Sequence, residues 1–412
     1  MPKRTSMKAK SLRSPVTATP QTVRQLNRAV VLDLIRKNQP LSRADLARIS
    51  GINPSNISSI VEDLIQKDLL REERAKDFGR GRAPDLLSLD RGAFRVMAIS
   101  LLRARTTVAI ATLTGNIENS FTFVTPDSPE EFAFAVENAY RTLIQNLSPQ
   151  EVSSGPIKQV VVSSPGILSR HRSGKITMIA SDLPRYSDVD LVAILNKKLK
   201  LPVMIANNAG LAAMSLIYCR EYAKDPLRDF VLLVVGECGV GAGVVIQRHL
   251  YSGYDAAYAG EVGHTVVESK GLPCSCGRSG CLQQYICDVA TWRRYKPNVP
   301  FSPQRFEGFL DDALAGSAKA RVALRPTIEY LSLGISNISL MLNPERIILA
   351  GSLMRLWPML QEELGAAAFP RQRHTPLQAT QLPVDLLYLR GAVERALQCA
   401  LTDIHNGFSG LS

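Results

Sequence analysis

Four side chains that bind zinc in proteins lie within eighteen residues of one another. The group consists of His264, Cys274, Cys276 and Cys281. Three thiolates and one imidazole form a tetrahedral zinc site, and the glycines at 277 and 280 let the loop bend tightly around a metal. Because four protein ligands leave no position open for water, the pattern predicts a structural zinc ion. Free thiols in a loop are the alternative.

A second chemical pattern is a group of short polar side chains at the start of a predicted helix. Asn53 and Pro54 are typical of a helix start, with Asn as the cap and Pro in the first turn. Ser55, Asn56 and Ser59 then point to one side, opposite a stripe of Ile, Val and Leu. A helix N-terminus can enter the major groove of DNA, where short donors and acceptors reach base edges. We therefore predict that Ser55, Asn56 and Ser59 contact DNA.

Two more helices are predicted in front of this one. Ser42 and Asp45 form an approximate capping box at the start of a short helix that ends at Gly51. Residues 22–37 form the first helix, and Pro40 follows it. Its predicted buried face consists of Leu26, Val30 and Leu34 with Val31 and Ile35 beside them, and the second helix is predicted to bury Leu46 and Ile49.

Two helices joined by a tight glycine turn fit a helix-turn-helix, although an ordinary three-helix packing unit has the same pattern. Basic residues surround the segment and favour the first interpretation, and Arg43 is the one predicted to contact DNA. Strands over residues 69–72 and 86–89 resemble a wing. Arg80 and Arg82, on a glycine-rich segment between them, can lie in a narrow minor groove; a flexible linker is the alternative.

The overall charge is concentrated in the same part of the chain. The protein has 412 residues and a formal charge of +12. Residues 1–90 contain 17 basic and 10 acidic side chains, so +7 of that charge lies there. An apolar content of 45% indicates a globular protein, and neither a membrane helix nor a secretion signal is apparent, so we expect a cytoplasmic protein. The other cysteines are predicted to be buried or inert: Cys219, Cys238, Cys287 and Cys399.

After residue 92 the pattern changes to strands that alternate with helices. Residues 95–112 and 115–124 look like a hairpin of two strands. Buried strands and amphipathic helices follow, up to a strand and glycine turn at residues 346–352. This order predicts two α/β lobes with a cleft between them.

The chain resembles the transcriptional regulators of the ROK family over about residues 22–405. The matching segments are the zinc run, residues 260–264 (Gly-Glu-Val-Gly-His), 41–47, 164–166 and 343–345. The resemblance implies a winged helix-turn-helix followed by a two-lobed, actin/hexokinase-like body. The predicted divisions are a disordered basic tail (1–21), the DNA-binding domain (22–78), a hinge (79–92), lobe 1 (93–205, completed by 392–412) and lobe 2 with the zinc loop (206–391).

Three positions depart from the pattern of ROK kinases, and together they predict that the protein is not an enzyme. The kinases' first phosphate turn, Asp-x-Gly-Gly-Thr, is replaced by residues 100–104, which contain no glycine. The second turn carries Glu237, whose carboxylate repels a nucleotide. Asn208 stands where the kinases have the aspartate that removes the sugar's hydroxyl proton, and an amide cannot act as that base.

The resemblance also implies a sugar pocket. Asn207, Glu261 and His264 match the family's sugar contacts, Gln283 stands where the family has Glu, and Asn208 and Asp182 lie beside them. The alternative is that these residues only maintain the fold. The chain is therefore predicted to be a regulator, most simply a repressor, that binds operator DNA as a dimer or tetramer under control of a sugar or sugar derivative. A sugar kinase with a DNA-binding domain, or a DNA-binding protein that responds to no ligand, are the rivals.

Overall fold

A computed structural model describes residues 20–74, 84–147, 155–171, 173–180, 182–222, 225–253, 259–368 and 375–406. The chain divides into two compact units. One comprises residues 1–90 together with 401–412, and the other comprises residues 91–400. Among the described residues, no helix combines the length and the apolar character needed to span a bilayer.

Three helices form the first unit, and local side-chain chemistry sets their limits: α1 (Pro20–Asn38), α2 (Arg43–Ser50) and α3 (Pro54–Gln66). The Ser42 hydroxyl accepts from the backbone N–H of Asp45, and the Asp45 carboxylate accepts from that of Ser42 in return. Gly51 ends α2 with a φ of 71°, which favours glycine. Asn53 caps α3 through the N–H of Ser55. The predicted cap residues are confirmed.

The prediction of the buried face of α1 is wrong: the face that the structure buries is rotated by about one residue from the predicted one. Leu26 and Val30 are 60% and 44% exposed, whereas Val31, Leu32 and Ile35 are buried. The helix has apolar residues on two faces, and packing against α2 and α3 decides which one turns inward. Ile49 is also exposed, because the two turns of α2 present only Leu46 to the core, not both residues as predicted.

A small antiparallel sheet completes the first unit and confirms the wing. Its strands are β1 (Leu41–Ser42), β2 (Leu70–Arg74) and β3 (Asp85–Leu89), in the order β1-β3-β2. Leu70, Leu87 and Leu89 are buried and join it to the helices. Residues 75–83, with Arg80 and Arg82, lie outside the described residues, as do residues 1–19 of the predicted tail. Pro20 and Gln21 were also assigned to that tail, but they form the start of α1.

The second unit begins with a five-stranded sheet of order β10-β7-β4-β5-β6. The predicted two-strand hairpin is wrong here, because the chain reverses at residues 102–104 and makes three strands. Strands β4, β7 and β10 are parallel, so their carboxyl ends bring Ser100, Ser164 and Asn207 to one edge. The elements of this part are β4 (Arg95–Leu101), β5 (Arg105–Thr112), β6 (Ile117–Val124), α4 (Pro129–Gln145), β7 (Ile157–Ser164), β8 (Ile167–Arg170), β9 (Ile176–Ile179), α5 (Leu191–Leu199) and β10 (Val203–Asn207).

A second five-stranded sheet follows, of order β13-β12-β11-β14-β15. Gly243 of β12 lies against α6, where an added Cβ would be 2.3 Å from that of Ala213, so this close packing requires glycine. The elements are α6 (Asn208–Ile217), β11 (Phe230–Val235), β12 (Val240–Ile246), β13 (His249–Tyr251), α7 (Gln283–Ile286), α8 (Asp288–Tyr295), α9 (Pro303–Leu314), α10 (Ala318–Leu342), β14 (Arg346–Ala350), α11 (Trp357–Ala368), β15 (Leu377–Ala379) and α12 (Val384–Asn406).

Candidate functional site

The polar face of α3 is open to solvent at the helix N-terminus. Ser55, Asn56 and Ser59 are exposed, while Ile57, Ile60, Val61 and Leu64 form the buried face. The side-chain oxygen of Asn53 accepts hydrogen bonds from the backbone N–H of Ser55 at 2.9 Å and from its hydroxyl at 2.8 Å. These two bonds fix the first turn of the helix. The structure therefore places the three predicted DNA contacts on one accessible surface.

Charge along α3 favours an approach to DNA by its first two turns. Glu62 and Asp63 lie in the second half of the helix, where phosphates would be repelled. Asp63 forms an ion pair with Arg28 of α1 at 2.7 Å. Arg24, also on α1, reaches Ser59 at 3.5 Å and adds positive charge beside the N-terminal half. The positive end of the helix dipole lies at that same half.

Arg43 has an internal role in this structure. Its guanidinium donates two hydrogen bonds of 3.0 Å to the carboxylate of Glu72 on β2, and it lies 3.6 Å from Glu62. The hydrogen bonds to Glu72 raise the pKa of Arg43. A bidentate pair of this kind joins α2 to the wing. Sequence reasoning missed this pair, since Glu72 lies 29 residues away.

The four predicted zinc ligands meet in the second unit. The ligand atoms of His264, Cys274, Cys276 and Cys281 all lie within 4.8 Å of one another. The Cys274 sulfur is 3.6 Å from His264 Nδ1, and the Cys276 and Cys281 sulfurs are 3.6 Å apart. Donor atoms of a tetrahedron with bonds of about 2.3 Å lie about 3.8 Å apart. Donor set and spacing both fit a structural zinc ion.

The zinc loop depends on glycine and on a buried amide. Gly280 has a φ of 76°, and an added Cβ would lie 1.6 Å from the carbonyl oxygen of Glu268. The buried Gln283 places its Nε2 3.5 Å from the Cys274 sulfur. Its amide donates toward a sulfur that would carry negative charge as a metal ligand. The structure therefore brings Gln283 to the zinc loop.

Three of the predicted sugar contacts come together where the two sheets of the second unit approach each other. Asn207, at the end of β10, donates to the Gly166 carbonyl at 3.0 Å and lies 3.4 Å from Glu261 Oε1. His264 Nε2 is 4.0 Å from Glu261 Oε2, while its Nδ1 faces Cys274. Burial raises the pKa of Glu261 to about 7. We call Asn207, Glu261 and His264 the Asn207 side of the predicted cleft.

A second polar group lies at the turn between β11 and β12, and we assign it to the other side of the predicted cleft. Gly236 and Gly239 close the turn with a 2.9 Å hydrogen bond, and Glu237 is exposed in it. Partial burial raises the pKa values of Glu237 and Asp182, and the positive charge of Arg103 partly offsets that rise. A cation therefore lies near these two carboxylates. Sequence reasoning identified Glu237 and Asp182 but not Arg103 as a counter-charge.

Beneath the turn lies a buried carboxyl group that sequence reasoning missed. Asp288, the first residue of α8, is 6% exposed and donates its N–H to the Gly236 carbonyl at 3.2 Å. Ser352 donates to Asp288 Oδ2, whereas Oδ1 has no hydrogen-bond partner among the described residues. Burial raises the pKa of Asp288 to about 8. We call Glu237, Asp288 and Ser352 the Glu237 side of the cleft.

Family models match both parts of the chain. The ROK family model matches residues 96–381, and the MarR family model matches residues 24–81. The chain therefore belongs to the ROK family, and it carries an N-terminal winged helix of the MarR type. The predicted family and fold class are confirmed.

Solved structures show the same fold. The structure of a ROK family transcriptional regulator, described as a homologue of the Escherichia coli Mlc protein, matches with a TM-score of 0.73 at 21% identity. It covers 93% of this chain and 98% of that one. A ROK glucokinase from Streptomyces griseus, in complex with glucose and AMPPNP, matches with a TM-score of 0.61 at 20% identity. It covers 74% of this chain and 99% of that one, so it corresponds to part of the chain only.

Relatives of established role have similar lengths. The xylose repressor of Bacillus spizizenii is 25% identical over 354 residues, which cover 85% of this chain and 89% of the repressor. The DNA-binding transcriptional repressor Mlc of Escherichia coli is 23% identical, with 87% and 90% covered. The N-acetylglucosamine repressor of Escherichia coli O157:H7 is 25% identical, with 80% and 81% covered.

Proposed function

We propose that the protein is a DNA-binding transcription repressor. Its affinity for the operator is controlled by a sugar or sugar derivative that binds in the cleft of its ROK body. One observation carries this proposal: the Asn207 side of the cleft keeps a connected set of sugar-type contacts, while the Glu237 side carries an exposed carboxylate where a kinase receives phosphates. The named relatives are repressors, which supports the same function.

At the DNA, Ser55, Asn56 and Ser59 read base edges in the major groove. Arg80 and Arg82 enter the flanking minor groove. Arg43 reaches a phosphate only by leaving its pair with Glu72, so its contribution is smaller than its position in the sequence suggests. Two copies of the chain occupy two half-sites of a near-palindromic operator in the cytoplasm.

In the cleft, amide and carboxylate groups hydrogen-bond the vicinal hydroxyls of the effector. Asn207 Nδ2 and the Glu261 carboxylate are 3.4 Å apart and can hold neighbouring hydroxyls. His264 and the three cysteines would hold a zinc ion, which would fix the His264 ring whose other nitrogen faces Glu261. The relatives' names make xylose and N-acetylglucosamine the first compounds to test. The effector acts only through its different affinity for the DNA-binding and the released forms.

The body does not transfer phosphate. Asn208 uses its side-chain oxygen to accept from the N–H of Ala209 at 2.8 Å, and an amide has no lone pair basic enough to remove a sugar proton. The rival function, a sugar kinase, is favoured by the fold shared with the glucokinase. An ATP-turnover assay over a panel of hexoses and pentoses distinguishes the two, and clear phosphorylation by the purified protein would exclude our proposal.

DNA binding is tested on α3 with a matched pair of variants. Operator sequences are first selected from random DNA and then used in anisotropy titrations. Asn56→Ala should weaken operator binding by on the order of 10-fold or more, because a base contact is lost. Gln66→Ala, at the other end of the same helix, should change little. Equal effects of the two substitutions would show that the N-terminus of α3 does not read the operator.

The wing is tested by salt dependence. Replacing Arg80 and Arg82 by Ala should flatten the slope of log affinity against log salt by about 0.9 for each lost phosphate neutralisation. An unchanged slope would show that these arginines do not neutralise phosphates. Adding the sugar panel to the same titration separates a ligand-controlled regulator from a DNA-binding protein that responds to no ligand.

A further inference from the structure

Most basic side chains in the described part of the first unit are already paired with a carboxylate. The ion pairs are Arg28–Asp63, Arg36–Asp33, Lys37–Asp33, Arg43–Glu72, Arg48–Asp45, Lys67–Asp63 and Arg71–Asp90. Arg24 and Arg74 form no ion pair with another described residue, and Arg24 is the one that lies on a helix. The charge of Arg24 is therefore available to a partner.

Arg24 lies at the edge of the polar face of α3. It is exposed on α1, and its Nη2 donates to the Ser59 hydroxyl over 3.5 Å. A hydrogen bond of that length is weak, so the guanidinium can leave it for a better acceptor. Of the three residues of the polar face, Ser59 lies farthest from the start of α3. An available positive charge therefore borders the surface that is expected to face DNA.

Arg28, one turn further along α1, has an internal role by contrast. It is 7% exposed and forms an ion pair with Asp63 at 2.7 Å. Burial lowers the pKa of Arg28, Asp63 opposes this effect, and the charge of Arg24 lowers the pKa further. The two guanidinium groups are therefore close enough to repel each other, and like charges four residues apart destabilise a helix. The stability of the unit does not explain the charge of Arg24.

The surroundings of Arg24 favour a phosphate as its partner. Lys67 and Arg28 both bind the Asp63 carboxylate, at 3.2 and 2.7 Å, which reduces the repulsion of an approaching anion. When a helix N-terminus enters the major groove, phosphates of the two strands border it on either side. A cation on the neighbouring helix α1 therefore meets the backbone, whereas the side chains of α3 meet base edges. Arginine can bind phosphate oxygens through two parallel hydrogen bonds.

We propose that Arg24 binds a phosphate of the DNA backbone at the border of the groove that α3 enters. The inference rests on the proposed function, and it adds α1 to the elements that contact DNA. It assigns the phosphate contact of the helices to a residue that is free to make it, because Arg43 is held by Glu72.

The test uses anisotropy titrations of the full chain with its selected operator at several salt concentrations. Arg24→Gln should flatten the slope of log affinity against log salt by about 0.9, which corresponds to a loss of about 5-fold in affinity at about 0.15 M salt. Arg24→Lys should retain most of the slope because it keeps the charge. The melting temperature of Arg24→Gln should not fall, since the repulsion of Arg28 is removed. If this variant fails to fold, Arg24→Ala replaces it with the same expected slope.

Lys37→Gln is the matched control, because it removes one positive charge from an exposed position on the same helix. It lies thirteen residues from Arg24, about 20 Å along the helix, and should leave affinity and slope near their native values. An Arg24→Gln variant with the native slope, or a control that loses as much, would overturn the proposal. So would a selected base preference that changes at one position in Arg24→Gln while the slope stays unchanged.

The same titrations separate this proposal from the proposed function. A native protein that binds no selected DNA contradicts the function itself and the Arg24 contact with it. Operator binding that is insensitive to Arg24 contradicts the α1 contact alone.

Discussion

The two sides of the cleft differ in how their polar groups are arranged. On the Asn207 side, amide, carboxylate and imidazole groups lie 3.4 to 4.0 Å apart in a connected set. On the Glu237 side, the exposed carboxylate of Glu237 lies above Asp288, a buried carboxyl group with an oxygen that has no partner in the described part of the chain. The first arrangement suits neutral hydroxyl groups. The second opposes an anion.

Under the proposed function, this difference lets a kinase-like body bind a ligand without transferring phosphate. Binding a sugar requires hydrogen-bond donors and acceptors, whereas phosphoryl transfer also requires donors and positive charge that stabilise the phosphates. Under the proposed function, the Glu237 carboxylate at this turn removes the second requirement without disturbing the first. The two sides can therefore be varied separately, and the predictions below test that independence.

The largest effect is expected at the zinc loop, which holds His264 on the Asn207 side. Cys276→Ser should reduce bound zinc to near zero and destabilise the body, with a loss on the order of 5 °C in Tm. Sugar binding should be lost with the metal. Metal analysis by mass spectrometry and a thermal melt measure both. Cys219→Ser, at a half-buried cysteine outside the cluster, is the control, and a Cys276 variant with full metal content would contradict the ligand assignment.

The next effect concerns the pH dependence of stability on the Glu237 side. The pKa of Asp288 is raised from 3.8 to about 8 in the folded protein, so between these values the folded chain keeps a proton that the unfolded chain has released. Stability must therefore fall as pH rises through this range, by at most about 1.4 kcal/mol per pH unit from this group. Asp288→Asn should remove that part of the slope.

Urea titrations of both proteins at pH 5, 6.5 and 8 check this prediction. The native protein should lose stability relative to Asp288→Asn as pH rises. Other groups with raised pKa values, such as Glu261, are common to both proteins and cancel in the difference. Parallel stabilities over the three pH values would show that Asp288 ionises normally in the fold.

A smaller effect is expected from a single contact on the Asn207 side. Glu261→Gln keeps the size of the side chain but removes the charged acceptor, so affinity for the effective sugar should fall by roughly 10-fold or more. Calorimetry with the sugar that gives the largest thermal shift measures it. Glu268→Gln, at an exposed position seven residues on, should bind as the native protein does. Unchanged binding in Glu261→Gln would place the sugar elsewhere.

The sequence predicted best the features that depend on neighbouring residues. The caps at Ser42 and Asn53, the wing strands and the cluster of His264 with the three cysteines follow from short spacings whose chemistry is local. The inward face of α1 could not be predicted, because both of its apolar stripes satisfy helical spacing and packing against α2 and α3 chooses between them. Asp288 and the Arg43–Glu72 pair were missed for a related reason. Their partners are distant in sequence, and only the fold brings them together.

The last substitution is expected to have no effect on activity, and it tests the difference between the two sides of the cleft most directly. Asn208→Asp restores the carboxylate that acts as the base in ROK kinases, yet we expect turnover of ATP with any sugar to stay at background. The phosphates would still meet Glu237, and residues 100–104 still lack the glycines that let the backbone approach them. The double variant Asn208→Asp and Glu237→Thr is the companion measurement. Phosphorylation of a sugar by the single variant would show that the native protein lacks kinase activity only because the base is missing. It would also show that the Glu237 side does not exclude the nucleotide.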